Sequence, residues 1–467
     1  MTRITVTIAL LCAVMGACTL FPDPNPTKTN EDLSTLEENS FYAQNLSAPD
    51  KHYYKVKAEK LYEGKKCVIW AEEGSGVTPE QAQSIAKEYD NVIRPLIIQK
   101  FSKTNNGEAD ILDYANTLVG RTDKKLTVLL LDIQDGYTAT NNAYVAGYFF
   151  SGNFLKKGSI GGNHYSNGRD MIYMDTYPGL SNQPAQTYLT FAHELQHLVN
   201  YVTGLRIGRQ LLVDTWIDEG LSSQAEYFYA GSNPKDKCLW FSNDIGETIA
   251  RGNNFFVWDN HTNKSLAILD DYASVYLFFR WLYLQTDTAS QSNIFYKIET
   301  SPYADYHAVT NVAGAINSSW SNWENLLKTW LAANYYPKND YGYTGDTYLQ
   351  ETIKVKPVAG SLISLYPGEG VYSIIHDSYS PVETGNHIRY AGIAKDKPAI
   401  NTAPPFDDNI LLTFNSNTNN KLTAPSETGS ITSLSSGFPR MVTEKPAELF
   451  TGPYVMDARD ILRRSGR

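Results

Sequence analysis

The rhythm of apolar and polar positions changes twice along the folded part of the chain. Between about 56 and 180, short apolar runs alternate with helical patterning. Lys66-Cys67-Val68-Ile69-Trp70-Ala71 reads as a strand, and Leu126 to Asp132 is an unbroken apolar run too short for a helix, so a buried strand is expected there. Ala143 to Phe150 and Met171 to Asp175 are further strand candidates. Thr78-Pro79-Glu80-Gln81 combines an N-cap, a proline in the first turn and capping-box spacing, which predicts an amphipathic helix to about Lys100. From Asn182 to about Tyr336 the period turns helical, with segments near 184–203, 215–230, 268–286, 289–299 and 319–335 set off by Pro, Gly and Asn. Beyond Pro337, short alternating runs at 362–366, 370–376 and 409–414 lie between Gly/Pro/Asn/Ser clusters. The expected fold class is α+β: a mixed α/β N-terminal lobe over 56–180, a helical lobe over 181–337 and a small β-rich module over 338–467.

The first 55 residues do not look like part of that body. Arg3, an apolar run from Ile4 to Val14 and then Met15-Gly16-Ala17-Cys18 have the layout of a secretory signal over 1–17. A Cys directly after Gly-Ala resembles the lipobox of bacterial lipoproteins. That resemblance implies lipidation at Cys18 and a membrane surface as partner, through an anchor that does not span the bilayer. The implied location is exported: lipid-anchored in the cell envelope, at the outer membrane or cell surface, or secreted. Residues 18–55, rich in Pro, Asn, Ser, Thr and acidic side chains, are expected to be a flexible tether. Past Cys18 only Cys67 and Cys238 remain, as a disulfide pair or as two buried thiols.

Composition narrows the field. With 42% hydrophobic and 19% charged residues the chain can bury a core, and no second window approaches a membrane helix. Forty basic against fifty acidic residues give −10, with no basic block before the last few positions, so nucleic acid is not expected as a partner.

The chemistry concentrates in Phe191-Ala192-His193-Glu194-Leu195-Gln196-His197-Leu198. His193 and His197 are four apart, so on a helix both imidazoles lie on one face, one turn apart, as a tetrahedral divalent ion requires. Glu194 lies beside that face, within reach of a water on the metal. This is the HExxH pattern of zinc metallopeptidases. Pro184 suits the first turn of such a helix and Gly204 its exit. Two histidines leave zinc one protein ligand short, and Glu219 follows 22 positions after His197, in Thr215-Trp216-Ile217-Asp218-Glu219-Gly220-Leu221-Ser222.

HELQH followed by WIDEGLSSQAEYF resembles the gluzincin metallopeptidases, most closely the hyicolysin-type secreted bacterial family, over about residues 186–285. The resemblance implies a zincin-like catalytic domain holding one catalytic zinc ion (Zn2+) through His193, His197 and Glu219. It also implies Glu194 as general base and a protein or peptide as substrate. Related gluzincins place a catalytic Tyr on a later helix, which points to Tyr272 ahead of Tyr276 in Asp271-Tyr272-Ala273-Ser274-Val275-Tyr276. Gluzincin aminopeptidases carry a Gly-x-Met-Glu-Asn strand that is missing here, the nearest upstream strand being Met171 to Asp175, which favours an endopeptidase. A silent surface-binding lipoprotein or adhesin on a peptidase fold is the reading from another class; it predicts loss of a motif residue, and all four are present. Ser223, Asp214, Asp218 and Glu226 are candidates to orient the imidazoles, and spacing does not rank them. His164, in a loop before the active helix, is read as a plain loop histidine rather than part of the cleft.

Overall fold

A computed structural model describes residues 33–48, 52–102, 109–138, 144–161, 164–252, 255–258, 268–291, 293–358, 363–381, 386–397, 399–421 and 442–444. The leader and Cys18 lie outside the described residues. The chain forms two compact units. The first runs to Leu212 and also takes Ala225–Ser232; the second takes Val213–Gln224 and continues from Asn233.

In the first unit β1 (Ser40–Gln44), β2 (Tyr53–Glu63) and β3 (Cys67–Glu72) precede α1 (Pro79–Glu88), α2 (Arg94–Phe101) and α3 (Ile111–Leu118). There follow β4 (Leu126–Leu131), β5 (Gly147–Phe149), β6 (Gly158–Gly161), β7 (His164–Ser166), β8 (Met171–Asp175) and the long α4 (Pro184–Arg206). Among the described residues the main sheet has the order β1-β2-β3-β4-β8-β5. The inner pairs β3–β4 and β4–β8 are parallel, and the outer pairs are antiparallel. The fully buried strand expected at Leu126 is β4, at the centre of the sheet, with Leu129 opposite Tyr173. Parallel strands covered on both faces read as continuous apolar runs, which is why β4 was legible.

The expected tether ends earlier than composition suggested. Ser40–Gln44 is a buried strand paired with β2. Asn167 holds its outer side, accepting from the Tyr42 N–H at 2.8 Å and donating to the Tyr42 carbonyl at 3.0 Å, much as a neighbouring strand would. The helix expected to run to Lys100 does so to Phe101, but through a π-helical turn at Tyr89–Ile93 that turns Tyr89 and Ile93 into the core. The capping box is formed as expected: Thr78 accepts from the Gln81 N–H, and Gln81 accepts from the Thr78 N–H. The missed α3 starts at Asp110, whose carboxylate accepts from the N–H groups of Leu112 and Asp113, a capping signal present in the sequence.

The helix α5 (Thr215–Ala230) is divided between the units after Gln224. The second unit adds α6 (Lys235–Asn243), α7 (Ile268–Leu284), α8 (Thr288–Gln291), α9 (Ile294–Glu299), α10 (Tyr306–Ile316), α11 (Trp323–Tyr335) and α12 (Thr347–Thr352). Then come β9 (Ile363–Leu365), β10 (Gly370–Ile374), β11 (Ile388–Ile393), β12 (Ile410–Asn415) and β13 (Val442–Glu444). Beyond Pro337 the small sheet is there, an antiparallel β10-β12-β11 with a parallel β9–β13 pair. Tyr372 donates to the Leu331 carbonyl and Arg389 to Glu324, which tie this sheet to α11. The fold class is α+β. Among the described residues no helix is long and apolar enough to cross a membrane. Cys67 and Cys238 are two buried thiols without a disulfide, and burial pushes both thiols up.

Two motif residues prove to be packing residues. Trp216 is fully buried, with the rings of Phe255, Phe256, Phe278, Phe279 and Trp323 at 5.5–5.8 Å. Gly220 lets α5 touch α7, because a Cβ there would lie 2.2 Å from Cδ2 of Phe279 and 2.9 Å from Cγ2 of Val275. Gly220→Ala is therefore expected to destabilise the chain by about 1–2 kcal/mol net, an overlap cost of up to about 3 kcal/mol less the ~1 kcal/mol that alanine gains in a helix. A denaturant midpoint that stays put or rises in this variant would contradict that packing.

Candidate metal centre

The helix α4 starts where Pro184 predicted, but it is not amphipathic: from Thr190 to Gly204 every side chain is buried. A helix apolar on most sides and enclosed on all is a core element, and its few polar groups must then be held by specific partners. The exit differs from the expected one. Gly204 lies inside the helix, where a Cβ would come within 2.7 Å of the Arg209 guanidinium, and the left-handed position after the helix is Gly208, at φ +72°. Arg209 uses that space to reach Asn200, donating to its side-chain oxygen at 3.2 Å.

Neighbours fix the position of α4. Tyr89 of the π-helical turn stacks on Phe191 with ring centres 5.1 Å apart. At β5, a Cβ on Gly147 would meet Cγ2 of Thr190 at 2.8 Å, so only glycine lets this strand lie so close to the helix. The lead into α4 is shaped by Asp175 at the end of β8, which accepts from the N–H groups of Gly179 (2.7 Å) and Ile133 (3.2 Å). Nearby, Asp135 accepts from Val145 and Tyr137. Burial raises Asp175 to about 7 and Asp135 to about 6. The folded-state value of Asp175 lies above the unfolded one, so folding takes up a proton here, and this group's contribution to stability falls as pH rises from 3.8 to about 7. The Asp175 carboxyl carbon resonance should titrate near neutrality; a midpoint below about 5 would refute this burial effect.

On the buried face, His193 and His197 have ring centres 4.8 Å apart at 73°. One ligand atom from each of His193, Glu194 and His197 falls within 4.8 Å of the others, and all three side chains are buried. His193 Nδ1 lies 2.6 Å from Oε1 of Glu226, in the last part of α5. An ionised carboxylate only accepts, so with Glu226 ionised Nδ1 carries the proton and Nε2 is the nitrogen that would meet a metal. Two imidazoles with buried carboxylates suit a borderline divalent ion such as zinc. The residues present therefore fit the group that HExxH implies.

Of the other sequence candidates, Glu219, Tyr272, Tyr276, Ser223, Asp214 and Asp218 fall in the second unit, and Glu226 and His164 in the first. Glu219 is buried on α5. Tyr272 is buried on α7, with its ring edge-on to Trp258 at 5.0 Å. The Tyr276 hydroxyl donates to Asn233 at 2.7 Å. Ser223 accepts from Lys237, and Asp214 accepts from Asn420, which gives both a structural task. Among the four unranked candidates, Glu226 bonds to the His193 imidazole. Spacing gave only a partial signal: Glu226, seven residues after Glu219, lies on the same helix face, but so does Ser223, four residues after it. His164 sits on β7, its ring 5.9 Å from that of Tyr53.

The chain is similar to a metalloprotease. It is 30% identical over 260 residues to the neutral metalloprotease ShpI of Staphylococcus hyicus. The match takes in 54% of this chain and 53% of that protein, so the chain spans about half the length of the relative it matches. No family model matches the chain.

Proposed function

We propose that this protein is a zinc-dependent endopeptidase acting on proteins or peptides. The observation that carries the reading is the buried His193–Glu194–His197 cluster on α4. The similarity to a neutral metalloprotease supports a metallopeptidase as the broader class. His193 and His197 would hold the ion, with Glu219 as the third residue. That assignment rests on helix spacing: Glu219 shares the face of α5 that carries Glu226, the partner of His193. A divalent ion held there would lower the pKa of a bound water toward neutrality and would polarise the scissile carbonyl.

The chain's own groups do the rest. Glu194 accepts the proton of the attacking water as the oxygen–carbon bond forms, then delivers it to the amine nitrogen as the C–N bond breaks. A donor must meet the developing oxyanion, and Tyr272 is assigned that role in preference to Tyr276, whose hydroxyl is held by Asn233. Burial of the cluster lowers the local dielectric and strengthens each of these interactions.

Export with a lipid anchor at Cys18 belongs to the same proposal, on the leader pattern. Metal analysis of the purified full chain should find one zinc per molecule. Hydrolysis of a fluorogenic protein substrate should disappear with chelator and return with zinc. Activity indifferent to the chelator would end the metallopeptidase reading. A peptide blocked at its N-terminus that stays intact while its free-amine twin is cut would replace endopeptidase by aminopeptidase.

A further inference from the structure

We infer that Glu226 is the positioning residue of the metal site. It fixes the ring orientation and tautomer of His193, so that Nε2 faces the ion before the ion arrives. The inference rests on the zinc reading above and adds a residue that the zinc-binding pattern does not contain.

The contact is short and dry. His193 Nδ1 and Glu226 Oε1 are 2.6 Å apart, and the residues are 0% and 4% exposed. With an ionised acceptor, Nδ1 is obliged to be the donor, which leaves the lone pair on Nε2. The carboxylate also makes the imidazole a more basic ligand. An imidazole on a helix can otherwise rotate about χ2 and exchange its tautomers, at a cost to metal affinity.

Glu226 is itself held at the required place. Three residues on, the Tyr229 hydroxyl donates to Glu88 at the end of α1, at 2.9 Å. Phe228 packs on Phe101 with ring centres 6.0 Å apart, and the Lys100 ammonium lies 4.6 Å from the centre of the Phe228 ring. These contacts clamp the last part of α5 to α1 and α2. The same α1–α2 element stacks Tyr89 on Phe191, two residues before His193. One rigid element therefore locates both partners of the His193–Glu226 bond, and this separates an orienting group from a carboxylate that happens to be near.

The test uses the full chain, titrated with zinc against a competing chelator. Glu226→Ala should weaken zinc binding about 10- to 100-fold, and Glu226→Gln, which keeps an acceptor oxygen but loses the charge, by a smaller factor. The cobalt-loaded protein should show a changed visible spectrum in both variants. In zinc-loaded protein labelled with nitrogen-15 histidine, the protected His193 Nδ1–H signal should be lost in Glu226→Ala and kept in Glu226→Gln. A Glu226→Ala protein that binds zinc within twofold of the parent and keeps its cobalt spectrum overturns the inference. Should that variant not fold, parental affinity and spectrum in Glu226→Gln overturn it equally. A parent chain that takes up no zinc would sink the zinc reading and this inference together, whereas zinc uptake indifferent to Glu226 sinks the inference alone.

Discussion

Glu194→Gln should lower the hydrolysis of a denatured protein substrate by about 10²–10⁴-fold, the usual contribution of a positioned acid–base group. Glutamine has nearly the same shape and fills the same buried space, but its amide cannot accept the proton of the attacking water. The helix around it is enclosed on every side, so an isosteric change is the one that leaves packing intact. Zinc content should stay close to one per chain, because Glu194 is not assigned as a ligand. Loss of activity with zinc retained separates chemistry from metal binding. Undiminished hydrolysis would remove Glu194 from the mechanism.

The second large effect is expected at Glu219. Glu219→Ala takes away the proposed third ligand, and the zinc affinity should drop by more than about a hundredfold, beyond the range of an outer carboxylate such as Glu226. Hydrolysis should fall in parallel and recover in part at high zinc concentration, since His193 and His197 remain on α4. The order of the effects matters as much as their size: Glu219→Ala should weaken zinc more than Glu226→Ala does. Full zinc occupancy in Glu219→Ala would mean that the third ligand lies elsewhere.

The residues of the segment Trp216-Ile217-Asp218-Glu219-Gly220 look equally functional when read in line, yet they divide by task. Trp216 is the centre of an aromatic cluster, and Gly220 is the notch in which Phe279 rests. Both constrain the helix that carries Glu219 without a chemical role of their own. A tryptophan and a glycine next to a candidate ligand are thus explained by volume, the largest side chain filling one space and the smallest leaving another.

Local periodicity by itself determined a good deal: the apolar run of β4, the capping box of α1, the proline start of α4 and the one-face placement of His193 and His197. Each depends on residues within a few positions of one another, where a period of 3.6 or 2 and the chemistry of a helix end suffice. Tertiary structure alone decided which carboxylate orients His193, that Gly204 makes room for Arg209 instead of ending a helix, and that Ser40–Gln44 is a buried strand rather than tether. Those outcomes join positions far apart in the chain. Asp214, Asp218 and Glu226 carry the same functional group, so only packing between distant elements could choose among them.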